Sequence, residues 1–505
     1  MSLARTLVAD TTVAPNASAT GAIATSIGCR RAIAPERTAR VEVDDLLKGG
    51  HRAVVTTLIR NGIVLPMTGG AGSQLDPGSV LIDGDLIVAV GSVEVIDADP
   101  RAANADVVDA SGHVVLPGLH NCHLHSGLLR GTAESMSLWD WLKTYVDPAH
   151  KALTPEIAAA ASMQCYAEGL LAGTTSVMDM WRFMEGSSDA AEELGIRATL
   201  VPYVADGVFD WFETIETNRR LLESHRSAAD GRVRTWVGLE HLMYCSEECF
   251  AAAVALMDEF DTGLHTHSSE SLWEVQESLA RWGRRPIEVF HQRGVLSERT
   301  VVAHCVWLSD VEIELLASTG TSVAHCPCSN MKLSSGAARV GDLRRAGVVV
   351  GLGSDGEKEN NNTDLVEEMK FASLLQKVTT LDPTSGDPWD VLTIATIDGA
   401  RALGLDAVTG SLEVGKRADL ITIDLMGLHT TPVLHGADFN AAAHVVFAAS
   451  GRDVRDVWVD GRRLLAAGQP TTFDVAAVRA TAQAAAEELF DRRAQLLASG
   501  WTHPG

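Results

Sequence analysis

The sequence predicts an α/β fold, a (β/α)8 barrel of the TIM type with a small β-sandwich built from its two flanks. Short apolar runs alternate with helical stretches through the middle of the chain, strand-and-turn text recurs at both ends, and histidines and acids fall where the middle runs stop. Eight runs read as barrel strands: Val114 to Pro117, Thr175 to Asp179, Ala198 to Val204, Thr235 to Leu239, Thr262 to His267, Val301 to His304, Ser322 to His325 and Val348 to Ser354. Eight strands in roughly 240 residues suit such a barrel.

The flanks read differently. Thr56 to Leu58, Val80 to Asp83, Ile87 to Val90 and Val107 to Asp109 are short strands punctuated by Asp83-Gly84-Asp85 and Ser111-Gly112; Ala418 to Asp424 and Val454 to Val459 repeat that character late in the chain. The expected division is therefore a sandwich from residues 51–116 and 406–472, a barrel over 117–405, and a C-terminal helix and tail over 473–505, the helix running from Val475 to Leu497. Residues 1–50, rich in Ala, Thr and Ser with scattered Arg and acids, read as a disordered extension.

Composition excludes several classes. The chain has 505 residues, 46% of them hydrophobic, and 41 Lys+Arg against 66 Asp+Glu leave a net charge of -25. A surface of that sign repels a phosphate backbone, so a nucleic-acid polymer is not an expected partner. No apolar run reaches the roughly 18 to 20 residues of a bilayer span. Eight thinly spread cysteines, with Cys326-Pro327-Cys328 one residue too tight for a redox pair, point to a reducing cytoplasm.

Chemistry concentrates at the strand ends. His123 and His125 follow the first strand in Asn121-Cys122-His123-Leu124-His125, His267 ends the fifth, His304 ends the sixth, and Asp355 follows the eighth. Alternate side chains on an extended segment share a face, so His123 and His125 form a two-pronged grip. Three imidazoles and one carboxylate make a nitrogen-rich site with a position left for water, which suits zinc first and iron(II) second. Water on such a metal has its pKa lowered towards ~7.

The longer motifs are Leu116-Pro117-Gly118-Leu119-His120-Asn121-Cys122-His123-Leu124-His125, Leu128-Leu129-Arg130-Gly131, His265-Thr266-His267-Ser268-Ser269-Glu270, His304-Cys305, His325-Cys326-Pro327-Cys328-Ser329-Asn330, Gly353-Ser354-Asp355-Gly356 and the run from Gly410 to Leu420. On these residues the chain resembles the amidohydrolase superfamily, and within it the cytosine deaminase-like group of triazine hydrolases, guanine deaminases and S-adenosylhomocysteine deaminases. The resemblance implies that His123, His125, His267 and Asp355 hold one divalent metal, and that Glu270 shuttles protons. It implies further that His304 polarises the reacting group and that Asp355 takes the proton of the attacking water. A helix cap is the alternative for Glu270. Relatives with two metals bridge them through a lysine, and no lysine occurs between Lys151 and Lys332, so one metal is expected, with Glu240 at the end of the fourth strand as an alternative bridge to a second.

Substrate contacts are expected from His241, Trp139, His150 and Asn330. His241 and Tyr244 match a substrate-holding stretch whose two prolines are absent here, and Trp139, Trp141 and Trp181 offer flat faces that either stack on a ring or pack the rim. The resemblance places a ribose-holding glutamate at position 150, where this chain has His150; an imidazole lacks the paired acceptors of a carboxylate, so a small amino-heterocycle is expected rather than a nucleoside. Asp355 to Asn362 reads as a loop that encloses the substrate. The resulting expectation is hydrolytic deamination of a purine, pyrimidine or triazine, with triazine dechlorination or N-dealkylation as the alternative and a non-catalytic scaffold as a further one. Partners are a small molecule and further copies of the chain in a homo-oligomer, with no membrane.

Overall fold

The structure, a computed structural model, describes residues 55–503 except 133, 134, 137, 208 and 209, and describes residues 138 and 139 by their backbone alone. The extension expected over residues 1–50 lies outside the described residues, as does the side chain of Trp139.

Strands β1 (Thr56–Val64), β2 (Leu75–Asp83), β3 (Leu86–Ser92), β4 (Asp106–Asp109) and β5 (His113–Pro117) come first. Gly84, at φ 61°, turns the chain between β2 and β3 in the left-handed region that glycine enters without cost. The central strands are β6 (Leu119–Leu124), β7 (Thr174–Trp181), β8 (Arg197–Pro202), β9 (Ser227–Ala228), β10 (Val233–Thr235), β11 (Val237–His241), β12 (Leu264–Ser268), β13 (Thr300–His304), β14 (Ser322–His325) and β15 (Val350–Leu352). Then follow β16 (Leu420–Asp424), β17 (Val454–Val459), β18 (Arg462–Ala466) and β19 (Gln469–Pro470).

Strands from both ends share one nine-stranded sheet in the order β19-β18-β17-β16-β5-β1-β2-β3, with β4 on β1. Its junction is β5 against β16, antiparallel from Pro117 opposite Leu420 to His113 opposite Asp424. The segment Val114 to Pro117, expected as the first barrel strand, therefore belongs to the flanking sheet. The apolar text from Val114 to Leu124 hides two strands, and Pro117-Gly118 is the step between them. A side chain at position 118 would sit 2.1 Å from Thr175 Oγ1, so only glycine lets the chain pass there.

The central strands form two sheets, β6-β7-β8-β10-β9 and β11-β12-β13-β14-β15, parallel throughout except for the short edge strand β9. Helices separate the parallel strands, as a parallel connection requires. One of them, Pro155–Leu171, starts with Pro155 at its first position and the Thr154 hydroxyl accepting from Ile157 N at 3.3 Å. It buries Ile157, Ala161 and Leu170 in the main core; each large apolar side chain so buried stabilises by about 1.5–3 kcal/mol.

The fourth expected run, Thr235 to Leu239, is broken at Trp236 into β10 and β11. Backbone bonds cross this break, from Trp236 N to Leu200 O at 2.8 Å and from Glu240 N to Val204 O at 2.7 Å. At the other seam Asp355 N donates to His123 O at 3.0 Å, and the Asn121 amide bonds Ser354 Oγ at 2.7 Å. Under the strands' N-terminal ends, Arg197 of β8 grips Asp419 through Nε (2.5 Å) and Nη2 (3.0 Å) and also reaches Asp460. Among the described residues no helix is long and apolar enough to cross a membrane.

Candidate active site

β6 is buried along its whole length, and its pleat sends His123 and, at the strand's exit, His125 into one interior space. The protonation of each imidazole follows from what its Nδ1 touches. His125 Nδ1 lies 2.8 Å from Met180 O and His267 Nδ1 2.5 Å from Glu240 O. A carbonyl only accepts, so both Nδ1 atoms carry the proton. His265 Nδ1 likewise donates to Val301 O at 2.9 Å, which leaves its Nε2 to accept from His123 Nδ1 at 2.8 Å.

Three bare Nε2 lone pairs remain, and they converge. His125 Nε2 and His267 Nε2 face each other at 3.0 Å, and His123 Nε2 has no hydrogen-bond partner. Asp355 Oδ1 stands 3.4 Å from His123 Nε2 and 3.6 Å from His125 Nε2. His123, His125 and Asp355 form one group able to hold a metal, and His123, His267 and His304 another, the ligand atoms of each group lying within 4.8 Å of one another. Lone pairs pointed together repel without a cation and suit a divalent ion that prefers nitrogen. Burial pushes His123 down, and His125 and His267 well down, which keeps them in the neutral form a ligand needs.

Strain marks the same strand ends. Ser269 (φ 54°), His304 (φ 69°), Cys305 (φ 49°) and Asp355 (φ 61°) all sit in the left-handed region. Each costs about 1–3 kcal/mol and persists only where the surroundings enforce it. Asp355 Oδ2 accepts from Ser329 Oγ at 2.6 Å and Oδ1 from Gly356 N at 2.7 Å. Burial works against its charge, but interaction with His123, then with His304 and His125, holds the carboxyl well below its usual range.

His304 Nδ1 pairs with Asn330 Oδ1 at 3.0 Å, so Nε2 is directed at Glu270 Oε2 (3.8 Å) and Asp355 Oδ2 (3.9 Å). Burial lowers its pKa, yet Glu270 and Asp355 outweigh that and the net shift is upward. Glu270 Oε1 accepts from Ser335 Oγ at 2.9 Å. The helix Leu272–Trp282 is capped instead by Ser271, whose hydroxyl accepts from Glu274 N, so Glu270 is left free of the capping role. Glu274 clamps the turn by accepting from Ser269 N at 2.8 Å and Glu270 N at 2.9 Å.

A cavity beside these groups is lined by Trp141, Tyr203, Glu240, His241, Tyr244, Leu333 and Glu359 as well as by His125, His267, Glu270, His304 and Asp355. His241 thus lies where a substrate contact was expected. Burial disfavours its charge, but Glu274 at 3.3 Å prevails and its pKa is pushed up to about 9. Burial lifts the Glu240 carboxyl to about 7 and that of Glu359 to about 8, the mark of acids stripped of water with too few donors.

Asn330 is fully buried behind His304, and His150 is buried between Trp181 and Tyr203, with ring centroids at 5.4 and 6.4 Å, outside the cavity wall. Trp181 is buried with Nε1 donating to Ala158 O at 3.3 Å, a packing role. The run after Asp355, expected as a loop that encloses the substrate, is a buried helical turn, Glu357–Asn360, whose Glu359 lines the cavity. Sequence reasoning gave no role to His265, Glu274, Tyr203, Glu359 or Asp179, whose carboxylate holds Ser126 Oγ and Tyr166 Oη at 2.7 Å beside His125. The repeated His-x-His at His265 and His267 was the one available signal.

A fold of parallel strands and helices, with imidazoles and a carboxylate gathered at the strand ends, defines a metal-dependent hydrolase. The amidohydrolase family profile matches residues 114–464. The 5'-deoxyadenosine deaminase of Methanothermobacter thermautotrophicus is 38% identical over 436 residues, covering 82% of this chain and all of that protein. The 5-methylthioadenosine/S-adenosylhomocysteine deaminase of Desulforudis audaxviator is 37% identical over 438 residues, covering 86% of this chain and 99% of the other. Among solved structures, an adenosine deaminase from Xanthomonas campestris with bound zinc superposes with a TM-score of 0.81 at 32% identity, covering 86% of this chain and 99% of that one. The chain belongs to the amidohydrolase family. It is a hydrolase of carbon–nitrogen bonds in cyclic amidines, and the sequence-based expectation of metal-dependent deamination at an amino-substituted nitrogen heterocycle stands.

Proposed function

We propose that the substrate is an adenosine-type nucleoside whose 5' position lacks a free hydroxyl, and that the enzyme hydrolyses its exocyclic amino group to release ammonia. The single observation that carries the reading is the convergence of three Nε2 lone pairs on Asp355, with Glu270 and His304 alongside. The names of the relatives supply the nucleoside. In this reading they outweigh the expectation of a base without ribose, which rested on His150, a residue outside the cavity wall.

His123, His125, His267 and Asp355 would hold one divalent metal, zinc in first place and iron(II) in second. When bound, the metal supplies Lewis acidity that brings the pKa of a water towards ~7. Asp355 accepts the proton of the attacking water from a fixed position, its Oδ2 held by Ser329 Oγ and its Oδ1 by Gly356 N. Glu270, anchored by Ser335, delivers a proton to the ring nitrogen and recovers one from the new hydroxyl as the carbonyl forms, while the proton taken by Asp355 passes to the departing amine, which leaves as ammonia. His304, its Nδ1 tied to Asn330, turns Nε2 towards the reacting carbon's substituent. Trp141, Tyr203 and Tyr244 offer ring faces to the heterocycle.

In the same reading the two parallel sheets are halves of one (β/α)8 barrel, joined through the Trp236 and Asp355 backbone bonds. The flanking sheet and barrel keep the expected division of the chain, which works in a reducing cytoplasm as a homo-oligomer. The seven cysteines among the described residues are all free thiols, in keeping with that compartment. Ammonia release from 5'-deoxyadenosine, other nucleosides, free bases and triazines, measured together with bound metal by elemental analysis, tests the proposal. A fully metallated protein that deaminates none of the nucleosides would sink it, and chloride release from a chlorotriazine would identify the alternative.

A further inference from the structure

Two carboxylates in the cavity lack donors: Glu240 Oε2 and Glu359 Oε2 are buried with no hydrogen-bond partner. Glu359 is 7% exposed, and its other oxygen, Oε1, meets Lys358 Nζ at 3.0 Å. In its ionised form such a carboxyl only accepts, and leaving its oxygen without a donor in a protein interior is costly. The group that completes it must bring hydrogen-bond donors.

The turn carrying Glu359 is built to hold it still. Asn360 Nδ2 bonds Ser354 O at 2.9 Å and Glu368 Oε1 at 2.5 Å, Leu129 N donates to Glu357 Oε1 at 2.9 Å, and Gly131 N donates to Asn361 Oδ1 at 3.1 Å. Gly356 makes room, since a side chain there would stand 2.1 Å from Glu359 Oε2. Glu240 is better supplied, with the Tyr203 hydroxyl at 3.2 Å and the protonated His241 next to it in sequence. Glu359 has Lys358 alone.

We propose that Glu359 is a specificity-determining residue that accepts hydrogen bonds from the vicinal 2' and 3' hydroxyls of the substrate's ribose. The inference rests on the nucleoside reading above. A 5'-deoxyadenosine-type nucleoside carries donors in two places only, the amine that is hydrolysed and the two ribose hydroxyls. The amine belongs at the converging imidazoles, which leaves the hydroxyls for the stranded oxygen.

The test compares kcat/KM of the zinc-loaded full-length enzyme for 5'-deoxyadenosine and for 2',3',5'-trideoxyadenosine, in the native protein and in Glu359→Gln, with Glu359→Ser as a second variant. Metal content and melting temperature certify that each variant is folded. A site built around substrate hydroxyls rejects the analogue lacking them by about 100-fold or more. Discrimination should fall at least tenfold in both variants, through a raised KM for the hydroxylated substrate. Unchanged discrimination, or a collapse seen in Glu240→Gln instead, overturns the assignment to Glu359 while leaving the nucleoside reading intact. A native enzyme that deaminates an amino-heterocycle but no nucleoside overturns both.

Discussion

Among the described residues stand two dense clusters of buried charge, and they are finished differently. Beneath the strands' N-terminal ends, Arg197 is paired through two nitrogens with Asp419 and again with Asp460, Arg417 reaches Asp85, and Arg232 stands 3.7 Å from Asp460. Burial opposes the charge on Arg197, yet the two aspartates raise its pKa above the usual arginine value. At the C-terminal ends the imidazoles face one another bare, His304 and Asp355 sit in strained backbone, and Glu240 and Glu359 each keep an idle oxygen. In the first cluster every arginine faces an aspartate of opposite charge, although Arg232 Nε lacks a hydrogen-bond partner, and the charges clamp the sheets; in the second, lone pairs and carboxyl oxygens face one another without donors, which marks a place where something else must bind.

If that contrast is sound, substitutions at the two clusters fail in different ways. His123→Ala or His267→Ala should abolish metal retention and lower kcat/KM by at least ~10³ while the melting temperature falls little, because ligands and reaction go together. Activity kept without bound metal would break the comparison. Glu270→Gln should keep its metal and lose about 10²–10⁴ in kcat, the worth of a placed proton carrier. An unaltered kcat would return Glu270 to a structural role.

Arg197→Ala should do the reverse. Leaving Asp419 buried and unpaired costs about 3–5 kcal/mol of stability, with kcat preserved in the folded fraction. Denaturant unfolding monitored beside activity separates the two, and a stable variant would show the clamp to be redundant. His265→Ala removes the acceptor that fixes the His123 tautomer and should weaken metal binding about 10–100-fold, read by competition with a chelator.

The smallest effect is one of pH. Against burial, Glu274 lifts His241 from 6.5 to about 9, so the charged form is favoured in the folded state. Its contribution to stability is complete below about pH 6.5 and fades as the pH rises through about 9. The melting-temperature gap between the native protein and His241→Gln should therefore be widest near pH 6 and narrow by pH 9.5. A gap that ignores pH would mean that Glu274 is satisfied without the imidazolium.

The residues that gather at the candidate site were legible because strand-end position is a linear property. His123, His125, His267, His304 and Asp355 follow apolar runs whose length and spacing can be counted, and Glu270 stands three residues beyond one of them. What could not be read depends on pairing across strands. His265 matters because its Nε2 faces His123, Glu274 because the turn before its helix folds back on it, and Glu359 because a polar stretch is buried rather than solvated. The step at Pro117-Gly118 escaped for a related reason. Continuous apolar text fits one long strand as well as two short ones, and only the neighbour on each side, β16 for one and β7 for the other, tells them apart.

The seam at Asp355 also bears on biosynthesis. His123 and Asp355 are joined by a backbone hydrogen bond, yet 232 residues of chain separate them. While the polypeptide is being made, His123 and His125 are available long before their carboxylate partner emerges. The candidate ligands are thus assembled late, when β15 docks against β6 and brings Asp355 beside His123.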